Sequence, residues 1–255
     1  MDLEATVERL WQATQRRVTP ELAPNQSLTL DEAYQVQLAM LARHIASGEK
    51  QAGWKIGITS AAARSTIGLS APVFGYLLAG RHFASGGSVP HAEIRDPAIE
   101  SELCMTIGQA LHGHHVTPKE ARQAVAAVAP AFEIVERRLD IRANLPLGVA
   151  DNVVQWGFVT AEKISPLPEN LNPGAVIADL FRNGESVERV RGADSLDDVF
   201  EPLASLANHL SRLGRGLKPG DLVMTGTYTK PTAIACADAW QARFSDIGSV
   251  NYSFT

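Results

Sequence analysis

Apolar residues recur at helical spacing near the start of the chain and at alternating spacing through most of the remainder. Leu3, Val7, Leu10 and Trp11 fall on one helical face. A second helix opens at Thr29-Leu30-Asp31-Glu32, a capping box whose hydroxyl and carboxylate satisfy N–H groups that the first turn leaves free. Its apolar stripe is Tyr34, Leu38, Leu41 and Ile45, and Gly48 marks its stop. From Trp54 the period drops to two, with Trp54, Ile56 and Ile58 pointing one way and Lys55, Gly57 and Thr59 the other.

Farther along, Thr117-Pro118-Lys119-Glu120 combines an N-cap, a first-turn proline and a returning glutamate. It predicts a third helix running toward Val128, with Pro130 restarting the chain as an extended segment. Asn183-Gly184, flanked by two apolar-polar runs, is the strongest hairpin signal in the chain. Val199, Leu203, Leu206, Leu210 and Leu213 mark a fourth helix stopped by Gly214, and residues 221–225, 240–244 and 249–254 read as strands. Helices gather at the N-terminus and strands dominate afterwards, which predicts an α+β fold rather than regular βαβ winding. No repeat or linker divides the chain, so residues 1–255 are expected to form a single catalytic domain, with 1–50 as a helical N-terminal extension and 51–255 as a β-rich core.

Composition narrows the class without changing that picture: 45% hydrophobic and 20% charged residues are ordinary for a globular enzyme. A net charge of -5 argues against nucleic acid as a partner. Acids at Asp2 and Glu4 occupy the place where a secretory leader needs basic residues, and no apolar run approaches the roughly 20 residues that span a bilayer. These features predict a cytoplasmic protein that does not engage a membrane. Cys104 and Cys236 are far apart and lack C-x-x-C spacing, which predicts reduced thiols.

The chemistry concentrates on three acids. In a strand through residues 98–107, Glu100, Glu102, Cys104 and Thr106 share a face, so two carboxylates point the same way. Spacing alone leaves two readings open, a wet acidic face screened by solvent or a pair bridged by a cation. Glu133 lies among Phe132, Ile134 and Val135, an apolar run in which a carboxylate needs a charged or metal partner. Oxygen ligands of this kind suit Mg²⁺. Lys55 reads either as an edge-strand surface residue or as a group beside such a metal, sharing its face with Gly57, which admits close approach. His112-Gly113-His114-His115 reads as a solvated turn, and the Gly-rich run around Gly214 and Gly216 lacks the order of a nucleotide fingerprint.

Gly53-Trp54-Lys55-Ile56-Gly57-Ile58-Thr59-Ser60, Glu100-Ser101-Glu102, Pro130-Ala131-Phe132-Glu133-Ile134-Val135 and Gly216-Leu217-Lys218-Pro219-Gly220-Asp221-Leu222-Val223-Met224-Thr225-Gly226 occur in that order. Together with Ala150-Asp151-Asn152, Asn183-Gly184-Glu185 and Ile247-Gly248-Ser249-Val250, they resemble the 2-keto-4-pentenoate hydratase and 4-oxalocrotonate decarboxylase branch of the fumarylacetoacetate hydrolase superfamily. The resemblance covers nearly the whole chain. It implies a mixed β-rich core with outer helices, Mg²⁺ or Mn²⁺ on Glu100, Glu102 and Glu133, catalytic Lys55 beside it, and substrate contact at Thr225 and Gly226. It also implies small 2-oxo or 2-hydroxydienoic acid substrates from meta-cleavage of aromatic rings, and a homo-oligomer that associates in some cases with a pathway enzyme. The leading expectation is a hydratase, with a 2-oxo acid decarboxylase next and a catalytically inactive metal-binding partner third. Two positions depart from the hydratase pattern: Val73 stands where many members carry an acid, and Val153-Val154-Gln155-Trp156 replaces the usual small polar residues after Asp-Asn.

Overall fold

The computed structural model describes residues 2–196 and 198–255. Two helices lead, α1 (Leu3–Arg16), capped by the Asp2 carboxylate, and α2 (Leu30–Ala46), whose Thr29–Glu32 capping box forms as its sequence dictates. There follow β1 (Gln51–Gly57), α3 (Ala61–Thr66), β2 (Val73–Leu78), β3 (His82–Ala84), β4 (Ser88–Val89) and the long β5 (Pro97–Ile107). Next come α4 (Pro118–Ala124), β6 (Val125–Glu136), α5 (Leu145–Ala150) and β7 (Gln155–Thr160). The hairpin β8 (Ile177–Arg182) and β9 (Glu185–Arg191) turns through Asn183 and Gly184, both at positive φ, the geometry that an Asn-Gly pair supplies. The chain ends with α6 (Gly192–Ser195), α7 (Phe200–Arg212), β10 (Leu222–Thr227), β11 (Thr232–Ala233), β12 (Ala239–Phe244) and β13 (Gly248–Phe254).

The third helix is shorter than its sequence predicts. It stops at Ala124, and residues 125–128 already belong to β6, which runs unbroken through Pro130. Val125 and Val128 are β-branched and gain more from pleated packing than from another helical turn. Pro130 has no N–H to offer a ladder, yet its carbonyl accepts from Ala161 N–H at 2.9 Å.

Two mixed sheets result. The larger has the order β2-β1-β10-β5-β6-β7-β3, with β11 on the flank of β5, and the smaller the order β4-β13-β12-β8-β9. This is the expected α+β architecture. The large sheet curls until Leu77 on β2 and Phe158 on β7 pack together with Cys104, Ala131 and Met224, forming a small plug inside an incompletely closed barrel. The opposite face carries Trp54, Ile56, Leu103, Met105, Phe132 and Val223, which join the main core with the helices and the second sheet. Burying both faces explains why β5 and β6 are apolar nearly throughout, and why every polar group on the inner face must find a partner.

At β2 the ladder ends, and side chains take over its free edge. Phe74 N–H donates to the Tyr34 hydroxyl at 3.2 Å and Phe74 C=O accepts from the Gln37 amide at 2.8 Å. Two residues on, Tyr76 N–H and C=O are met by the side-chain amide of Asn152 at 2.7 and 3.0 Å. The alternation matches the outward groups of an edge strand, which here has no exposed template to offer.

Candidate metal centre and active site

The inner face of the large sheet gathers the acids predicted from sequence. Glu100 and Glu102 are two residues apart on β5, and the antiparallel register sets Glu133 of β6 directly across from Glu100. One carboxylate oxygen from each of the three lies within 4.8 Å of the others. Lys55 arrives from β1, its Nζ 3.0 Å from Oε1 of Glu133. Glu102, Glu133 and Lys55 are buried, while Glu100 keeps part of its surface open to a cavity.

Electrostatics make the cluster costly as it stands. Burial, and then the Glu133 charge, push Glu100 up to about 7. Glu102 is raised well above the usual carboxylate range by burial, with Glu133 and Glu100 adding to it, although it accepts a 2.9 Å hydrogen bond from Gly226 N–H. Burial alone would lower Lys55, but Glu133, Glu100 and Glu102 outweigh it and the net shift is upward. Both Glu133 oxygens are buried, Oε1 meeting the Lys55 ammonium and Oε2 no donor. Three carboxylates against one ammonium leave two negative charges when all are ionised. Hard oxygen donors, orphaned lone pairs and this residual charge fit a small divalent cation.

Gly226 shows why the local sequence is constrained. Its φ is +99°, and a Cβ there would meet Oγ1 and Cγ2 of Thr59 at 2.6 and 2.7 Å. Only glycine brings its N–H to Glu102 with Thr59 packed behind. Gly226 and Thr227 line the cavity. Thr225 is fully buried and donates to Leu103 C=O at 3.0 Å, so the hydroxyl that the sequence suggests as a ligand contact is already engaged with β5.

The cavity, of about 700 Å³, runs from Lys55, Glu100 and Glu102 past Ile58 and Thr59 to Val135, Leu139, Ile141, Val153 and Val154. Arg137 and Arg142 also line it, the former paired with Asp96 at 2.6 Å. Beside Gly57, an added Cβ would lie 3.3 Å from Val153 Cγ1, 3.4 Å from Val73 Cγ2 and 3.6 Å from Lys55 Nζ. Two valine methyl groups therefore flank Gly57 on the strand face that it shares with Lys55.

Val153 belongs to a feature that the sequence did not announce. Asn152, Val153 and Val154 have φ of 59°, 52° and 54°, a left-handed turn that is costly for β-branched residues. Its first residue is held by the two bonds from Asn152 to Tyr76. The preceding Asp151 is ion-paired with buried Arg138, which also lies 3.3 Å from Glu136. Burial raises Asp151 to about 7 even though Arg138 opposes the shift. The one available signal was Gln37, a polar residue three positions after Tyr34 on the buried side of α2. By contrast, His112, His114 and His115 stay in an exposed connection before α4, as their sequence setting suggests.

Known proteins carry the same architecture. Residues 57–255 match the family model described as fumarylacetoacetate hydrolase C-terminal. A 4-oxalocrotonate decarboxylase from a Pseudomonas species is 32% identical over 257 residues, covering 100% of this chain and 99% of the relative. A 2-keto-4-pentenoate hydratase from Paraburkholderia xenovorans is 30% identical over 255 residues, covering 98% and 94%. In structure, the 4-oxalocrotonate decarboxylase from Pseudomonas putida G7, complexed with magnesium and adipate, aligns with a TM-score of 0.92 at 28% identity, covering 99% of this chain and 97% of its own. With its sheet order, its acidic cluster and this end-to-end similarity, the chain belongs to the fumarylacetoacetate hydrolase family, in the branch of the 2-keto-4-pentenoate hydratases and 4-oxalocrotonate decarboxylases.

Proposed function

We propose that the protein is a divalent-metal-dependent lyase that adds water to a 2-hydroxy-2,4-dienoate, or to the unsaturated 2-oxo acid it tautomerises to, in meta-cleavage catabolism of aromatic compounds. The observation that carries this reading is the convergence of Glu100, Glu102 and Glu133 beside Lys55 in a cavity sized for a small acid. The three carboxylates would hold Mg²⁺ or Mn²⁺, which supplies Lewis-acid polarisation of the 2-oxo group and an electron sink for the adjacent carbons.

The residues of the chain do the rest. Lys55, kept charged by its carboxylate neighbours, donates a proton to the dienol carbon and regains one as the 2-hydroxyl is released to the 2-oxo form. Gly226 and Thr227 bring backbone close to the substrate, and Thr225 fixes their strand through Leu103. Val153 and Val154 give the cavity an apolar wall. We take residues 1–255 as one catalytic unit acting as a cytoplasmic homo-oligomer. No helix among the described residues is long and apolar enough to cross a membrane.

A second reading, decarboxylation of an unsaturated 2-oxo diacid, draws on a specific observation. Val153 and Val154 line the cavity where the resemblance to hydratases leads one to expect small polar residues, and two arginines line it as well. Incubation with 2-hydroxypenta-2,4-dienoate or 2-oxohex-3-enedioate, with Mg²⁺ or with EDTA, separates these readings by ultraviolet absorbance and CO₂ release. Metal-dependent loss of the dienoate chromophore without CO₂ supports hydration, and CO₂ from the diacid promotes decarboxylation. No metal-dependent turnover of either acid sinks both and leaves the inactive partner.

A further inference from the structure

The family match starts at residue 57, so α2 lies outside it, yet α2 bonds both to β2 and to α5, the helix that leads into the cavity-lining turn of Val153 and Val154. Gln37 is 1% exposed. Its amide nitrogen donates to Phe74 C=O at 2.8 Å and to Val149 C=O at 2.7 Å, spending both hydrogens on two different segments. Phe74 is the neighbour of Val73, and Val149 leads through α5 into the left-handed turn that carries Val153. Tyr34, one turn earlier, accepts from Phe74 N–H at 3.2 Å. A ladder would fix the distance between two such strands, but no ladder joins β2 to this turn. The Asn152–Tyr76 bonds and the Gln37 fork take its place.

We propose that Gln37 is a positioning residue for the site: by tying β2 to α5 it fixes the left-handed turn whose Val153 and Val154 line the cavity, and so which substrate carbons fit there. The N-terminal extension is thereby part of the specificity apparatus. This rests on the cavity being the substrate site proposed above. Gln37 itself touches neither substrate nor metal ligand, so its effect must appear as altered discrimination with metal binding retained.

The test compares the full-length wild-type protein with Gln37→Met, which keeps the side-chain length and removes both donors. Amide hydrogen exchange is followed by mass spectrometry, Mn²⁺ affinity by calorimetry, and kcat/KM on 2-hydroxypenta-2,4-dienoate and 2-hydroxyhexa-2,4-dienoate by absorbance. Exchange should rise about tenfold within residues 71–78 and 147–156 and stay unchanged in β5 and β6. Mn²⁺ affinity should hold within about twofold, while the ratio of the two kcat/KM values moves at least about threefold. That ratio does not depend on how much enzyme is folded, so a purely structural loss leaves it fixed. Tyr34→Phe, which keeps the ring, should loosen residues 71–78 alone and keeps the test available if Gln37→Met does not fold. Unchanged exchange in both segments, or loosened segments with an unchanged ratio, overturns the proposal. If the wild-type protein turns over neither dienoate, the proposed function fails, and exchange still decides whether Gln37 holds the two segments together.

Discussion

The ammonium nitrogen of Lys55 lies 3.0 Å from Oε1 of Glu133, with side chains 4% and 1% exposed. Such a pair gains from mutual attraction and pays in lost hydration, so its presence is weak evidence for stability, but removing one partner strands the other. In metal-free protein, Lys55→Met should cost about 3–5 kcal/mol by denaturant unfolding. Saturating Mn²⁺ should return much of that loss by binding only the folded state. In turnover assays with metal, Lys55→Ala should lower kcat by about a hundredfold or more with KM nearly unchanged. A wild-type kcat would remove Lys55 from catalysis.

Stability in EDTA should fall as pH rises. Glu100 titrates near 4.5 when unfolded and at about 7 when folded, and Asp151 moves from 3.8 to about 7. Between those values the folded chain keeps protons that the unfolded chain has released, so each rise in pH favours unfolding until the folded groups have titrated. The melting temperature should therefore drop on the order of 5 °C between pH 5 and 7.5, and Mn²⁺ should abolish or reverse the trend. A flat profile in EDTA would show that Glu100 and Asp151 ionise normally.

Much of this site was legible before folding, for identifiable reasons. Glu100 and Glu102 share a face because strand periodicity is local, and Glu133 stood out because a carboxylate in an apolar run needs a partner. That Glu133 would face Glu100 depended on the register of β5 against β6, which only the fold supplies. The end of α4 is not fixed locally, because β-branched residues 125 and 128 allow either continuation and tertiary pairing decides. The left-handed turn at Asn152 was invisible for a stronger reason: Val153 and Val154 disfavour that backbone, which is held by Tyr76, Arg138 and Gln37 from distant parts of the chain.

Glu102→Gln should separate ligation from folding. The amide oxygen can still accept from Gly226 N–H, now 2.9 Å from Oε2, while one charge is removed from the acidic cluster. Mn²⁺ affinity should weaken by more than about a hundredfold, since even supporting partners of metal ligands are worth 10–100-fold. The melting temperature in EDTA should hold or rise, because a buried like-charge contact is gone. Wild-type Mn²⁺ affinity would dismiss Glu102 as a ligand.

Gly226→Ala should act on the same bond from the other side. A Cβ at φ +99° is strained by itself, and it would enter the space of Thr59 at 2.6 Å. Left-handed strain and overpacking together should cost about 2–4 kcal/mol and move the N–H away from Glu102. Thr59→Ala in the same chain should restore only the packing share, a partial rescue that unfolding curves resolve. Full rescue would mean that the backbone conformation carries no cost.

Asn152 allows backbone strain and side-chain bonding to be measured apart. Its amide makes two buried bonds to Tyr76, and its φ of 59° is tolerated by asparagine better than by alanine. Asn152→Ala loses both bonds and adds left-handed strain, whereas Asn152→Gly loses the bonds but accepts the φ. Leaving Tyr76 N–H and C=O unpaired should cost both variants about 2–4 kcal/mol. Alanine should be worse than glycine by about 1 kcal/mol, the reverse of their order in an ordinary strand or helix. Both variants free the turn that carries Val153, so both should also shift discrimination between the two dienoates while Mn²⁺ binding persists. If alanine proves the more stable, the left-handed turn is not the conformation in solution, and the Val153–Val154 wall of the cavity loses its support.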